Sequence, residues 1–386
     1  MKGLIVLSLF DGMSCGQIAL RNLGIVPEVY YSSEVDKYAI AVTKHNFPDT
    51  VCLGDVRNVN AADLGHIDLL IGGSPCQSFS FAGRRQGMST VTKQKILSLS
   101  LYLQMKEEGF EFDGQSYLFW EYMRILTDLK KVNPDIKFLL ENVEMGSMWE
   151  SVLSHAIGVS GIHINSARVS AQVRKRIYWT NIRVQNDLFG ELPYVSIPQP
   201  KDRNILISDI LEDDVDEKYY MSDERVKEIV RRNEELLAAK GIVKIDRKGN
   251  VKTRQDKASS LAVGGHGCGN HSDMDMLYLS PLYLSEATKK GYTVIEDGDC
   301  FDLSLPTSTT RRGRKFDKKA HCLMTGNEFC RLQNGRIRRL TTRECMRLQT
   351  IPEWYKWNCS DSQIYKMLGN GWTVDVISYI LSFINK

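Results

Sequence analysis

The chain has 386 residues, of which 42% are hydrophobic, and its 50 Lys and Arg residues stand against 47 Asp and Glu residues. This length and apolar content predict two or three domains, or one large domain with an insert, around a full core. A net charge of +3 excludes a polycation, so any contact with nucleic acid must come from local basic clusters. The absence of an 18-residue apolar run argues against a membrane span, and nine cysteines without C-x-x-C spacing indicate a reduced, cytoplasmic setting.

The first predicted elements are an apolar strand at residues 3–9, a turn from Phe10 to Gly16 and a short helix that stops at Gly24. This order is typical of the first crossover in nucleotide-binding α/β folds. The turn lacks G-x-G-x-x-G spacing, so a dinucleotide is not indicated. Asp11 with two glycines suits a small cofactor that carries an amino-acid group and a nucleoside, although any doubly wound fold could contain such a turn.

Acidic residues end the next two predicted strands. Glu34 follows the strand at residues 29–33, and Asp55 follows a third strand that ends at Gly54. Carboxylates in these positions commonly accept ribose hydroxyls, and the second can accept an exocyclic adenine amine. The alternative is that each carboxylate caps the helix after it. Two acids at successive strand ends favour a nucleoside ligand.

A single cysteine, Cys76, follows the apolar run 67–71 in a Gly-Gly-Ser-Pro-Cys turn. Ligands of open α/β sheets bind at the carboxyl edge of the strands, so this thiol is a candidate nucleophile. A small buried cysteine that closes a tight turn is the alternative. Residues 78–95 are polar and basic, which predicts a lid for a phosphate backbone. For the stretch 88–112, three roles stay open: lid extension, DNA contact or partner binding.

Further candidates follow the fifth strand. Glu141 comes directly after the apolar run 138–140. Downstream, Gln172, Arg174 and Arg176 alternate, so on a strand they would share one face, and two arginines in one site would bind an anion or a nucleobase carbonyl. A solvated, charged strand edge is the alternative.

The strand–helix rhythm stops near residue 186 and returns after residue 335, and an apolar helix at 374–384 ends the chain. We therefore expect a first domain of residues 1–185 plus 336–386 and a second domain of residues 186–335. The basic run 311–315 in the second domain is either a solvated loop or a phosphate contact, and the arginines after residue 330 favour contact. His266, Cys268 and His271 lack the spacing of a standard zinc site, so no metal is expected.

Six short motifs follow one another along the chain: Phe10-Asp11-Gly12…Gly16, Pro75-Cys76-Gln77, Glu141-Asn142-Val143, Gln172-x-Arg174-x-Arg176, Arg338 to Glu344, and Gly369-Asn370. This order is typical of cytosine-5 DNA methyltransferases, and the chain resembles this family over nearly all of residues 3–185 and 336–386. The Gln after the cysteine is usual in bacterial and phage enzymes, whereas the Gly-Asp-Val-Arg segment at 54–57 and Trp372 are similar to the animal de novo branch. The resemblance implies an α/β fold: a doubly wound mixed sheet of the Rossmann-like class I S-adenosylmethionine methyltransferase type, with a smaller inserted target-recognition domain.

The resemblance also implies an activity. A methyl group would pass from S-adenosyl-L-methionine to C5 of a flipped cytosine in a specific sequence of double-stranded DNA, with a covalent bond between Cys76 and C6. The product would be S-adenosyl-L-homocysteine, and no metal would take part. The catalytic residues would be Cys76, Glu141, Arg174 and Arg176. Glu141 would hold N3 and the amine of the base, Arg176 its carbonyl, and Arg174 would arrange the site or a phosphate.

The same resemblance implies binding residues. The cofactor would be held by Phe10, Asp11, Gly12, Met13, Ser14, Cys15, Glu34, Val35, Asp55, Val56, Pro75, Leu118, Asn370, Gly371 and Trp372. DNA would be contacted by Gln77, Ser80, Arg84, Arg85, Arg311, Arg312 and Arg314. Many relatives have serine where this chain has Gly371, which removes one contact to the cofactor carboxylate.

Two other functions are weighed against this one. The tRNA-methylating branch shares Pro-Cys-Gln but carries a Cys-Phe-Thr signature that this chain lacks. A catalytically silent DNA-binding homologue is disfavoured because Cys76, Glu141 and Arg176 are intact. We expect a monomer in the cytoplasm of a bacterial cell or a phage-infected host, with a cognate restriction endonuclease as a candidate partner.

Overall fold

A computed structural model describes residues 3–75, 88–186, 190–240, 243–245, 251–253, 282–304, 306–308, 313–326 and 328–384, with the strands at 243–245 and 251–253 described by their backbone. Its internal contacts divide the chain into two units, Met1–Ile205 with Met346–Lys386 and Leu206–Cys345. Both boundaries lie later than the expected 185/186 and 335/336. The backbone N–H of Ser160 donates to Pro193 O, which ties residues after 186 to the first unit.

The first unit contains a seven-stranded sheet with the order β3-β2-β1-β4-β5-β7-β6. Strands β1 to β5 are parallel, and β7 runs antiparallel to both β5 and β6. The order reverses between β1 and β4, and ligands of doubly wound folds bind at such a switch point. The strands are β1 (Ile5–Leu9), β2 (Val29–Ser33), β3 (Val51–Cys52), β4 (Leu69–Gly73), β5 (Lys137–Val143), β6 (Ile162–Asn165) and β7 (Lys175–Thr180).

Helices cover the sheet and are stopped by local signals. The first ends before Gly24, which has a φ of 71°, and the second is capped by the Asp36 carboxylate, which accepts from the backbone N–H of Tyr38. The last helix packs on the first, as expected for a chain that returns to its starting domain. The helices are α1 (Cys15–Asn22), α2 (Lys37–Asn46), α3 (Leu99–Glu107), α4 (Phe119–Val132), α5 (Ser147–Ile157), α8 (Asp361–Asn370) and α9 (Val374–Leu381), with α6 (Asp223–Ala239) in the second unit and α7 (Thr342–Leu348) spanning the boundary at 345/346.

The alternating segment at 172–176 corrects one expectation. Strand β7 begins only at Lys175, so Gln172 and Arg174 precede it and do not share a strand face with Arg176. Gln172 is buried and donates to Leu348 O over 3.1 Å. Because this segment forms hydrogen bonds with a carbonyl of a distant element, it does not have to form a regular strand. The alternation of these residues in the sequence therefore does not place their side chains on one face of a strand.

The stretch 88–112, whose role the sequence left open, is a structured part of the first unit. Isolated bridges join Ser89 to Lys95 and Thr90 to Phe112. Helix α3 lies in the chain between Lys95 and Phe112. Its anchor is Tyr102, which is buried and lies with its ring 5.1 Å from that of Phe112 and 6.1 Å from that of Tyr117. This packing makes residues 88–112 a covering layer on α4 rather than a simple continuation of a polar lid.

The second unit has its own core and its own sheets. A three-stranded sheet has the order β14-β15-β16, and the core joins side chains from α6, β12, β13 and this sheet. Its strands, after the short pair β8 (Val184–Gln185) and β9 (Tyr194–Val195) of the first unit, are β10 (Val243–Ile245), β11 (Val251–Thr253), β12 (Leu282–Ser285), β13 (Tyr292–Ile295), β14 (Cys300–Asp302), β15 (Phe329–Gln333) and β16 (Arg336–Arg339).

A buried ion pair explains the motif from Arg338 to Glu344. Both side chains are fully buried, and the Arg338 guanidinium donates to the two Glu344 oxygens over 2.9 and 2.8 Å. Glu344 also accepts from the backbone N–H of Thr341 over 2.7 Å. A bidentate pair with further hydrogen bonds satisfies both buried charges. The motif therefore fixes the end of the second unit.

Candidate active site

The turn after β1 is built around a buried carboxyl. Asp11 is 9% exposed and accepts from the hydroxyls of Tyr30 and Ser32, each over 2.9 Å. Burial raises the pKa of Asp11 from 3.8 to about 6, and the hydroxyl hydrogen bonds oppose that shift. The turn is tight, since Phe10 and Ser14 have positive φ values of 57° and 64°. An acceptor-rich pocket of this kind suits a cationic ligand.

The two acids at the next strand ends are each held by backbone amides. Glu34 accepts from the N–H groups of Gly12 and Val35, both over 2.8 Å. Asp55 caps a 3-10 turn and also binds the Arg57 guanidinium, whose presence lowers the pKa of that carboxyl. Asp55 is thus both a cap and a wall of the cavity described below. Glu34 does not cap α2, because Asp36 does.

The turn between α8 and α9 is fixed by side chains that donate hydrogen bonds to its backbone carbonyls. Arg174 is 4% exposed, and its Nη2 donates to Gly371 O over 2.9 Å and to Gly369 O over 3.3 Å. The amide of Gln349 donates to Leu368 O over 2.6 Å. A Cβ at Gly371 would lie 3.0 Å from Met367 O. The departure from serine at this position therefore matches a backbone contact that leaves little room for a side chain.

Glu141 lies within β5 rather than after it, and two side chains contact its carboxylate. Glu141 is 8% exposed. Arg176 Nε lies 2.8 Å from its Oε1, and Trp372 Nε1 donates to its Oε2 over 3.1 Å. The structure therefore brings Glu141 and Arg176 together, as the sequence predicted. Arg174, however, contacts the α8–α9 turn instead of this carboxylate.

These groups line one cavity of about 550 Å³ in the first unit. That volume lies within the usual range for a small-molecule site. Ser14 is the one described member of the expected cofactor set that does not line it; Ser14 is fully buried and accepts from Gln17. The members that line it are Phe10, Asp11, Gly12, Met13, Cys15, Glu34, Val35, Asp55, Val56, Pro75, Leu118, Asn370, Gly371 and Trp372, together with Glu141, Arg174 and Arg176.

Several expected residues lie outside the described parts of the chain: Cys76, Gln77, Ser80, Arg84, Arg85, Arg311 and Arg312, and also His266, Cys268 and His271. Arg314 is described and corrects the expectation of a DNA contact. It is 2% exposed inside the second unit, where its guanidinium donates to Ser304 O. A guanidinium buried on a carbonyl is not presented to a phosphate backbone, so Arg314 is not retained as a DNA contact.

Sequence reasoning missed two residues at this site. Arg57 lines the cavity and holds Asp55, and Tyr355 donates from its hydroxyl to Met13 O over 2.6 Å. Arg57 was detectable in the Gly-Asp-Val-Arg segment, two residues from its partner. Tyr355 had no local signal, since 342 residues separate it from its acceptor.

Within the parts of the chain that the structure describes, no group of three or more His, Cys, Asp and Glu residues could hold a metal ion. No helix among those residues is long and apolar enough to cross a membrane.

The fold and cavity define a class of protein. Over its whole length the chain matches a structure of a Spodoptera frugiperda DNMT2 mutant with a TM-score of 0.55 and 16% identity, covering 100% of that chain. It matches S. pombe Dnmt2 methyltransferase with a TM-score of 0.54 and 15% identity over 99% of this chain and 100% of that one. At these identities the likeness concerns the fold alone, which is the Rossmann-like class I methyltransferase fold, as predicted from the sequence.

The family follows from the sequence comparisons. The C-5 cytosine-specific DNA methylase family matches residues 4–148 and 165–386, so the chain belongs to this family, as its motifs indicated. Members of this family use S-adenosylmethionine and methylate DNA. Orphan methyltransferase M.SPRI of Bacillus phage SPR is 26% identical over 100% of this chain and 99% of that protein. Type II methyltransferase M.HhaI of Haemophilus parahaemolyticus is 26% identical over 98% and 94%.

Proposed function

We propose that this chain methylates C5 of a flipped cytosine within a specific sequence of double-stranded DNA, through a covalent bond between Cys76 and C6 of the base. One observation carries the proposal. The ion pair of Glu141 with Arg176 lies on the wall of the cavity that Asp11, Glu34 and Asp55 also line. Methyl transfer requires that the base and the methyl donor be bound next to each other. A pair that can hold a base, beside an acidic cavity large enough for a nucleoside, meets this requirement.

The residues of the cavity fit S-adenosylmethionine. Its adenosyl group has hydroxyls and an amine that would donate hydrogen bonds to Glu34 and Asp55. Its amino-acid group carries an ammonium that suits the turn around Asp11. Arg57 holds Asp55 through both carboxylate oxygens, so the adenine amine would share that carboxylate with a guanidinium. When bound, the cofactor supplies the methyl group that C5 takes up.

The protein residues make the cytosine reactive. Cys76 follows Pro75, which lines the cavity, and its thiolate would add to C6. A free thiol has a pKa of about 8.5, so the site must favour the thiolate or remove the proton during attack. The ring gains a proton at N3, supported by Glu141, while Arg176 holds the ring carbonyl. After methylation the C5 proton and the Cys76 sulfur leave, N3 gives up its proton, and the ring is again aromatic.

The target base must leave the DNA stack before this chemistry begins, at a cost of a few kcal/mol. We propose that the second unit recognises the target sequence, and that Gln77, Ser80, Arg84 and Arg85 contact DNA next to the flipped base. Arg311 and Arg312 are the candidates for phosphate contacts in the second unit. We further propose that the chain acts as a monomer in the cytoplasm, with a cognate restriction endonuclease as a candidate partner.

The test compares methyl transfer from radiolabelled S-adenosylmethionine to duplex DNA and to tRNA. We expect transfer to DNA only, and Cys76→Ala should abolish it while the affinity for the cofactor stays within about threefold, because the thiol takes part in bond making rather than in cofactor binding. Transfer to tRNA alone would support the tRNA branch instead. No transfer to either substrate, or substantial transfer by the Cys76→Ala variant, would contradict the proposed mechanism.

A further inference from the structure

Trp372 lies at the point where the cofactor cavity meets Glu141. It belongs to the turn between α8 and α9, and its side chain lines the cavity beside Asn370 and Gly371. Its indole N–H donates to Glu141 Oε2 over 3.1 Å, although 231 residues separate the two in the chain. Lining a cofactor pocket needs only the bulk of an indole. Donation to a carboxylate is a second, separate property.

The contact completes the environment of the Glu141 carboxylate. Oε1 lies 2.8 Å from Arg176 Nε, and Oε2 accepts from Trp372, so each oxygen has its own partner. The two contacts come from different elements, β7 and the α8–α9 turn. Two contacts at separate oxygens fix both the position and the plane of a carboxylate, whereas one contact leaves the group free to rotate about that oxygen.

The turn that carries Trp372 is itself rigidly held. Arg174 Nη2 donates to Gly371 O over 2.9 Å, and the Thr373 hydroxyl donates to Gln349 Oε1 over 2.9 Å. The Cys15 thiol lies 3.8 Å from Trp372 O, in reach of a sulfur hydrogen bond. The indole is therefore set by hydrogen bonds on both sides of its backbone, as a residue that orients another group must be.

Space for this contact comes from Gly73 at the end of β4. A Cβ at this position would lie 2.7 Å from Trp372 Nε1 and 3.1 Å from Glu141 Oε2. Gly73 is not among the glycines with positive φ, so its backbone does not require glycine. The absent side chain is explained by the close approach of the indole and the carboxylate.

We propose that Trp372 is a positioning residue, whose indole N–H holds Glu141 in the orientation that binds the flipped cytosine. The inference rests on the proposed role of Glu141 and deepens it. It separates two functions in one side chain: the indole ring forms a wall of the cofactor cavity, and the N–H orients the base-holding carboxylate. A substitution that keeps an aromatic ring and removes the N–H should separate them.

The test is Trp372→Phe, with Trp179→Phe as the matched control. Trp179 is fully buried and donates to Ser154 Oγ over 2.9 Å, so its replacement also costs one indole hydrogen bond, in the core of the same unit. We expect Trp372→Phe to keep cofactor affinity within about threefold and to lower kcat on saturating DNA by about 10- to 100-fold, as for one hydrogen bond to a charged group. Trp179→Phe should stay near the wild-type kcat.

Gly73→Ala should lower kcat as Trp372→Phe does, because its methyl group would displace both partners. A Trp372→Phe variant with the kcat of the control would overturn the inference. So would a loss of cofactor affinity that accounts for the whole loss of rate, since Trp372 would then be only a cavity wall.

A spectroscopic measurement tests the contact without methyl transfer. The chain has six tryptophans, and the Trp372 indole N–H signal can be identified by its absence from the Trp372→Phe variant in ¹⁵N-tryptophan spectra. We expect Glu141→Gln to move this signal upfield, because a neutral amide replaces a charged acceptor. An unmoved signal would overturn the inference. Because this measurement needs no activity, it distinguishes failure of the contact from failure of the proposed function.

Discussion

At the scale of single residues, the burial of Asp11 lowers the stability of the free protein and provides a carboxylate for binding a cation. Burial raises its pKa from 3.8 to about 6, so the folded chain disfavours the ionised carboxylate. The resulting penalty is absent below about pH 4, grows as the pH rises through the interval between these values, and is constant above about pH 6. A shift of roughly two units corresponds to about 3 kcal/mol. A cationic ligand would recover part of this cost.

The prediction for this residue is that Asp11→Asn stabilises the free protein and weakens cofactor binding. At pH 8 the free energy of unfolding, measured in urea, should rise by about 1–3 kcal/mol, because the neutral amide avoids the burial of a charge. Affinity for S-adenosylmethionine, measured by calorimetry, should fall at least about tenfold. In the wild type the affinity should weaken below about pH 6, where Asp11 takes up a proton.

The pH dependence supplies the control for this prediction. Asp11→Asn should show no weakening between pH 7 and pH 5 beyond that of the other groups in the cavity. An unchanged pH profile in the variant would contradict the assignment of the titration to Asp11. S-adenosylhomocysteine keeps the ammonium and lacks the sulfonium charge, so Asp11→Asn should weaken its binding as much as that of S-adenosylmethionine if Asp11 binds the ammonium.

At the scale of elements, the stretch 88–112 is joined to the cavity of the first unit by a buried carboxylate on α4. Glu121 is fully buried and accepts from Tyr102 and Lys106, which belong to α3, each over 2.5 Å. Arg124 Nε donates to the same carboxylate over 2.7 Å, and its Nη2 donates to Val56 O over 3.3 Å. Since Val56 lines the cavity next to Asp55, the layer supports this wall of the cavity.

We therefore predict that Glu121→Gln lowers both stability and cofactor affinity. The variant leaves Lys106 and Arg124 without their carboxylate, and because their side chains are 38% and 18% exposed, the cost should stay below the about 3–5 kcal/mol of a fully buried pair. Urea unfolding should register this loss, and the affinity for S-adenosylmethionine should fall because Arg124 no longer has a fixed position behind Val56.

Asp128→Asn is the control on the same helix. Asp128 and Lys131 form an exposed pair, so the free energy of unfolding should change by less than about 0.5 kcal/mol. Equal effects of the two variants on the affinity for S-adenosylmethionine would show that the layer contributes nothing to the site.

The same elements show what the sequence could and could not predict. Strand β2, helix α9 and the order of the motifs were readable, because apolar periodicity and caps are local signals. The resemblance assigned Glu141 and Arg176 to the same base, and the two side chains lie together. The contact of Trp372 with Glu141 and that of Lys106 with Glu121 could not be predicted. They depend on which rotamers meet across the folded chain, and nothing in the neighbouring sequence specifies that meeting.

For the whole molecule, the division into two units predicts which segment carries target specificity. We expect exchange of residues 206–345 for the corresponding segment of M.HhaI to give the target sequence of that relative, measured by bisulfite sequencing of DNA from cells that express the chimera. The C-terminal boundary of the exchanged segment matters because β16 is the last strand of the sheet β14-β15-β16. Arg338 of that strand also forms the buried pair with Glu344.

Exchange of residues 186–335 is the matched control for this chimera. It would separate β16 from its partner strand β15, which lies at 329–333, and would leave Arg338 and Glu344 beside a foreign sheet. A buried pair in poorly matched surroundings loses several kcal/mol. We therefore expect the 186–335 chimera to be unfolded or inactive and the 206–345 chimera to be folded and active. A folded 206–345 chimera that keeps the original target would show that specificity lies in the first unit, for example in Gln77, Arg84 and Arg85.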